Sequence, residues 1–394
     1  MNIILITNRY PQGPDDPAAP FVPDFVRALR KQGARVLVVT PLYGKVAEHD
    51  DPDVFRFAFG QTDSDAPIGS WSVSNPSTWV RIRDFLIAGQ MAVDQALSHR
   101  AVDHILALWA LPSGWFARRA ARKWGVPYSV WCLGSDINVW AHRPVFRGIT
   151  RKIMGDAQHV FADGFRLANA ARRLCGKAVR FLPSFRLLNI DLPDGSADPA
   201  HPCFLYAGRI HRQKGVFDLL EAFTLAGSAL GGADLVFLGD GPDLPKLEAA
   251  ARHRGIVDRV RLLGKADSKS LARYYRAARA TVIPSYADSL PLVFSEAVQC
   301  GSPLIVYDTG DLGHFVGRFG LGQVVQCGDV TALSEALVRA ASGKHNIAPG
   351  RAVVLELLHP QRAARRFLKA IGASKREQFA PVRTYTCEGE VPAG

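Results

Sequence analysis

Short apolar runs alternate along this chain with amphipathic stretches, at the pitch of strand, helix, strand. Ile3 to Ile6 reads as a buried strand, and a Pro-rich loop, PQGPDDPAAP, follows it. Phe21, Phe25 and Leu29 then recur at i, i+4 and i+8, with Val22 and Val26 beside them, which is one face of a helix. Gly33 closes that helix, and Val36 to Val39 is a second buried strand. The same alternation continues through a Trp- and Arg-rich helix after Pro112 (PSGWFARRAARKWG, closed by Gly125) and an apolar strand from Tyr128 to Cys132. The period fails past Arg180, where LPSFRLLNIDLPDGSADPAHP is rich in Pro, Asp and Ser; this stretch predicts a linker.

The alternation restarts beyond it. Strands are predicted at Phe204 to Ala207, Leu235 to Leu238, Val260 to Leu263, Thr281 to Ile283 and Leu304 to Tyr307. Helices fall between them: a stripe of Val216, Leu219, Leu220 and Phe223, then Leu244 to Ala251, Leu271 to Ala278, and Val293 to Cys300 closed by Gly301. The pattern implies an α/β chain with parallel sheets covered by helices on both faces. The predicted organisation is a first domain over 1–185, a linker over 186–201, a second domain over 202–360, a basic amphipathic helix over 361–379 and a loosely ordered tail over 380–394. Two α/β halves of similar size direct attention to the crevice at the carboxyl ends of their strands.

Composition narrows the classes. A chain of 394 residues, 48% hydrophobic, with 35 Gly and 25 Pro is ordinary globular material and excludes a rod, a coiled coil or a disordered tail. No apolar run approaches the ~18 residues of a transmembrane helix, and the MNIILITNRYP start lacks the basic flank and length of a signal peptide. The six cysteines show no CxxC spacing, so neither a zinc ribbon nor a disulfide framework is expected, and the predicted compartment is cytoplasmic. The net charge of +12 is concentrated: between Arg118 and Arg186 fourteen Lys/Arg face only Asp136, Asp156 and Asp163. Such a surplus suits acidic partners or a solvated helix face. Nucleic acid is disfavoured, because no zinc-finger spacing, RNP-like strand or basic region joined to heptads is present.

Three stretches carry candidate chemistry. Gly208-Arg209-Ile210-His211-Arg212-Gln213-Lys214-Gly215 lies between a strand and a helix, where glycine permits close backbone approach and the helix N-terminus favours an anion. Arg209 and Lys214 add two full charges, so the stretch reads as a diphosphate cradle. In Pro284-Ser285-Tyr286-Ala287-Asp288-Ser289-Leu290-Pro291, Asp288 is a loop acid suited to sugar hydroxyls. Leu292 and Val293 then offer the first N–H groups of a helix to a phosphate, and Glu296, a turn further in, is placed to hold a ribose diol or to complement the helix dipole. The third stretch, Leu262-Leu263-Gly264, is a strand end whose backbone can meet a base edge.

In this order, GRIHRQKG, LGDGP, RLLG and PSYADSLPLVFSEAVQCGSPLIV resemble the carboxyl-terminal domain of retaining, family 4 glycosyltransferases of the GT-B fold over roughly residues 203 to 340. More loosely, NRYP, FVPDFVRALRKQGARVLVVTP, ALWALPSGWFARRAARKWGVPY and LGSDIN resemble the amino half of the same family. The resemblance implies two Rossmann-like domains facing a cleft, with the last helix crossing back to the first. It implies retaining transfer of hexosyltransferase type from a UDP- or GDP-type sugar, with no cofactor beyond that co-substrate and no metal. Arg209 and Lys214 would stabilise the departing diphosphate, Glu296 would hold the ribose, Asp288 would lie near the donor sugar, and Leu263 would flank the base. Gly208, Leu292 and Val293 complete the donor site. Departures are Asp288 where Glu is usual, and Leu108 and Leu133 where the family often has His, which removes two hydrogen-bonding groups. Asp136 in LGSD is placed either facing the cleft or as an Asx turn or helix cap. The basic first half suggests a glycan or lipid-linked acceptor and an anionic membrane surface, with the protein peripheral on the inner face of the cytoplasmic membrane. Two other readings stay open: a nucleotide-sugar-binding accessory protein without turnover, and a nucleotide-sugar epimerase of the same fold.

Overall fold

Residues 1–13, 16, 18–43, 51–60, 76–188, 190, 202–343 and 348–372 are described by the computed structural model. Seven strands form the first sheet: β1 (Asn2–Ile6), β2 (Arg35–Pro41), β3 (Val54–Phe57), β4 (His104–Leu108), β5 (Tyr128–Cys132), β6 (His159–Ala162) and β7 (Val179–Phe181). They pair in the order β3-β2-β1-β4-β5-β6-β7, every pair parallel. Six strands form the second: β8 (Cys203–Ala207), β9 (Asp234–Leu238), β10 (Val260–Leu262), β11 (Ala278–Ile283), β12 (Leu304–Tyr307) and β13 (Gly322–Val325). Their order is β10-β9-β8-β11-β12-β13, again parallel throughout. This is the expected pair of doubly wound α/β layers.

Parallel strands buried on both faces explain the continuous apolar runs: β4, β5, β8 and β9 contain no exposed residue. In each sheet the strand order reverses once among the described strands, between β1 and β4 and between β8 and β11. Those reversals open the crevices in which ligands of such sheets bind.

The helix predicted to begin at Leu271 begins at Ser268, because Asp267 accepts the Ser270 N–H and supplies a cap ahead of the apolar stripe. β10 ends at Leu262, one residue before the predicted limit, leaving Leu263 in the following loop. The last described helix, Pro360–Gly372, crosses back to the first half. Phe367 sits 6.0 Å from Phe25 of the helix Phe21–Lys31 and 5.5 Å from Phe161 of β6, ring centre to ring centre. Its predicted extension over 373–379, the tail over 380–394 and linker residues 191–201 lie outside the described residues.

Candidate functional site

The carboxyl ends of β8 and β11 meet over a single loop system. After β8, Gly208 takes a positive φ and its N–H donates to Leu238 of β9; the Arg209 carbonyl accepts the Tyr206 hydroxyl at 2.8 Å. Arg209 itself is exposed. A short turn, Arg212–Lys214, leads into Gly215, where a Cβ would overlap the Pro284 carbonyl. Only glycine allows this approach of the two loops, and its positive φ starts the helix Val216–Ala226. Tyr286 N–H donates to the Gln213 carbonyl at 3.0 Å, and the Lys214 ammonium lies 2.5 Å from Asp288 Oδ1. The structure therefore joins Lys214 and Asp288, 74 residues apart in sequence, into one half-buried ion pair.

The next helix, Leu292–Cys300, enters from Pro291 with no side-chain cap. The first N–H groups of a helix have no intrahelical acceptor, so Leu292 and Val293 present donors and the positive end of the dipole at the end of the loop that carries Asp288. Leu263 is 44% exposed at the neighbouring edge, its N–H held by the Phe237 carbonyl.

Glu296 has a different setting from the open acid expected of a hydroxyl acceptor. It is 4% exposed, with Arg186 Nη1 donating to Oε1 at 3.0 Å and the Tyr275 hydroxyl donating to Oε2 at 2.8 Å. Arg186 also reaches Ser268 at 2.8 Å, and its carbonyl accepts from Gln299. Burial and the Glu296 carboxylate push the Tyr275 phenol well above its ordinary value. The Arg186 and Tyr275 partners were not legible in the sequence. Arg186 stands in an aperiodic stretch, and nothing local distinguishes it from a solvated arginine.

Leu108 is fully buried inside β4, so a side chain at this position faces the core and not the crevice. Leu133 packs against the apolar cluster under β1 and the crossing-back helix. Asp136 does not face the cleft: it is 1% exposed, and four backbone N–H groups, those of Ala110, Leu133, Gly134 and Ile137, donate to its carboxylate at 3.0–3.3 Å. It is a brace tying the loop after β4 to the loop after β5, the Asx-type alternative of the sequence. Burial raises its pKa, and backbone N–H donors, those of Ala110, Leu133 and Gly134 among them, oppose that shift.

The basic stretch is spread over the helices covering this half. Arg118 and Arg122 are spent on Asp156, at 2.7 and 3.1 Å. On the helix Pro144–Asp156, Arg147, Arg151 and Lys152 are exposed beside Val145, 72% exposed, and Ile149, 36% exposed. No described helix is long and apolar enough to cross a membrane.

Two parallel, doubly wound α/β sheets define the class of fold, and solved structures share it. Sucrose-phosphate synthase of Thermosynechococcus elongatus superposes with a TM-score of 0.74 at 20% identity, over 95% of this chain and 98% of that one. HepE of Anabaena, in complex with UDP, superposes with a TM-score of 0.70 at 16% identity, over 95% and 100%. Residues 18–183 match the glycosyl transferase 4-like domain, and residues 193–347 match glycosyl transferases group 1. The chain belongs to the family 4 glycosyltransferases of the GT-B fold. Among curated relatives, TuaC of Bacillus subtilis, named for teichuronic acid biosynthesis, is 28% identical over 249 residues, 60% of this chain and 61% of that one. D-inositol 3-phosphate glycosyltransferase 2 of Catenulispora acidiphila is 28% identical over 271 residues, again 60% and 61%. The matched region thus spans about three fifths of the length of either relative.

Proposed function

We propose that this protein transfers a hexosyl group from a nucleotide-diphosphate sugar of UDP or GDP type to a glycan or lipid-linked acceptor, with retention of configuration and without a metal. The observation that supports the reading is the loop system at β8 and β11, where Lys214, on the same loop as the exposed Arg209, pairs with Asp288 on the loop that leads into the uncapped helix Leu292–Cys300. Breaking the sugar–phosphate bond builds negative charge on the departing diphosphate, and fixed donors aimed there lower the barrier. Lys214 is pre-placed for this by Asp288; as the diphosphate arrives it is shared between phosphate and carboxylate, and Asp288 turns its free oxygen toward the donor sugar. Gly208 lets the phosphates approach the backbone, Leu292 and Val293 donate to them, and Leu263 flanks the base. Each Glu296 oxygen has a second lone pair beyond the Arg186 and Tyr275 bonds, which the ribose diol engages.

The acceptor is taken by the basic first half, which meets an anionic membrane from the inner, cytoplasmic side through the face bearing Arg147, Arg151, Lys152, Val145 and Ile149. Exposed cations interleaved with apolar side chains suit an interface of that kind. Flotation with anionic against neutral liposomes at low salt tests the surface, and absence of anionic binding rejects it. Product formation from radiolabelled nucleotide sugars tests transfer. Nucleotide binding with neither transfer nor donor hydrolysis would favour an accessory protein, a reading to which the closed Arg186–Glu296–Tyr275 cluster lends support.

A further inference from the structure

The helix Phe165–Cys175 of the first half starts at Gly164, which has no side chain to cap it. The cap comes from the other half. Asp311, in the loop after β12, accepts the Phe165 N–H on Oδ2 and the Arg166 N–H at 3.1 Å on Oδ1. Arg166 also reaches Asp308 at 3.4 Å, and the Phe165 ring lies nearly parallel to Phe315, 6.0 Å away. Asp311 is 2% exposed, and burial raises its pKa against the pull of these N–H donors. Desolvating a carboxylate is costly unless it is hydrogen-bonded, and the positive end of a helix is a favourable partner. That compensation exists only while the two halves touch.

The same residue holds the donor loop. Asp311 N–H donates to the Ser289 carbonyl at 3.0 Å, and Gly310, with φ of +55°, lies so close to the Asp288 and Ser289 carbonyls that a Cβ would overlap both. Gly164 completes the fit from the opposite side: a Cβ there would stand 2.5 Å from Asp311 Oδ2 and closer still to the Ser289 hydroxyl. The residues that normally cap a helix from within are therefore excluded by the interface itself. Asp163, buried just after β6, has the Ser289 hydroxyl beside it.

We propose that Asp311 is a positioning residue: by capping the helix Phe165–Cys175 across the interface, it couples the placement of the Asp288 loop to the closed arrangement of the two halves. The coupling rests on the donor-site reading above, whereas the latch between the halves does not. Neither Asp311 nor Gly164 touches the reacting atoms.

The test compares the full chain with Asp311→Ala, Gly164→Ser and the double variant Gly164→Ser/Asp311→Ala. Small-angle scattering reads the separation of the halves, and titration with UDP and GDP reads the donor loop. Serine at 164 caps the helix from within, so it preserves the helix while displacing Asp311. The latch predicts a larger radius of gyration in all three variants and diphosphate binding weakened about tenfold, a typical coupling between sites. If Asp311 were only a helix cap, the double variant would recover wild-type dimensions and affinity, and that recovery would overturn the proposal. Unchanged dimensions in Gly164→Ser would overturn it equally, and this variant decides the matter should Asp311→Ala fail to fold. A wild type that binds neither diphosphate would reject the donor-site reading and the coupling, while the scattering result would still separate a latch from none.

Discussion

The two edges of the crevice use carboxylates in opposite ways. On the second half, Asp288 keeps 16% of its side chain exposed, is paired with a single lysine, and is carried by a loop that glycine holds close to its neighbour. On the first half, Asp136 is sealed from solvent and spends its carboxylate on four backbone N–H groups. Asp288 keeps acceptor capacity free for a ligand. Asp136 has the same charge and a comparable place after a strand, yet it fixes loops and is closed off from any ligand. Residue type and position after a parallel strand are thus insufficient to assign chemistry; the partners decide it.

That contrast can be broken experimentally. The largest expected effect is on the donor edge. Lys214→Ala should lower the transfer rate about 10²–10³-fold, the usual consequence of removing one fixed donor to developing charge, with a smaller loss of thermal stability than Asp136→Ala, because the lysine of the ion pair is 32% exposed. Asp136→Ala should do the reverse. Leaving several buried N–H groups without an acceptor costs roughly 3 kcal/mol of folding stability, while diphosphate affinity stays within about twofold, measured by denaturant melts and titration side by side. Were Asp136→Ala to abolish binding in a folded protein, the distinction between the edges would fail.

A smaller effect concerns Asp163, whose carboxyl burial pushes up to about 7, with Asp136 and Asp311 adding negative charge around it and the Ser289 and Ser184 hydroxyls opposing the shift. A carboxyl whose folded-state pKa is raised favours the folded protein when protonated. Its contribution is complete below the ordinary value near 3.8 and is lost as pH rises through about 7. Wild-type melting temperature should therefore fall between about pH 4 and 7 and level off above that, in step with this group, and Asp163→Asn should flatten the profile. An unchanged profile would show that Asp163 is not the titrating group.

The smallest effect sharpens the outer face of the first half. Arg147→Glu and Arg151→Glu should each weaken anionic-liposome binding by about 1–2 kcal/mol, since each basic group near such a surface is worth about 1 kcal/mol. Solution transfer to a soluble acceptor should not change.

The strands were legible because parallel sheets bury both faces, so β5 and β12 coincide with their apolar runs. The helix closures at Gly125 and Gly301 were legible for a local reason as well: both take the left-handed conformation that ends a helix. That Lys214 and Asp288 lie on the loops after β8 and β11 followed from motif order. What could not be read were partners distant in sequence: Arg186 and Tyr275 on Glu296, and Asp311 on a helix 145 or more residues earlier. A carboxylate in a loop looks the same in sequence whether it meets solvent, a lysine or a helix end in the other half. The Leu108 departure, drawn from the family resemblance, falls on a side chain buried at the end of β4, which a motif string does not reveal.

The central claim is the diphosphate cradle, and thermal unfolding with UDP, GDP, ADP, dTDP and CMP in wild type and Lys214→Ala tests it most directly. A ligand at about 100 times its dissociation constant adds about 2.7 kcal/mol, a readily visible shift. The account predicts that UDP or GDP stabilises the wild type and that the shift largely disappears in Lys214→Ala. Equal stabilisation of both proteins, or of neither, would contradict it.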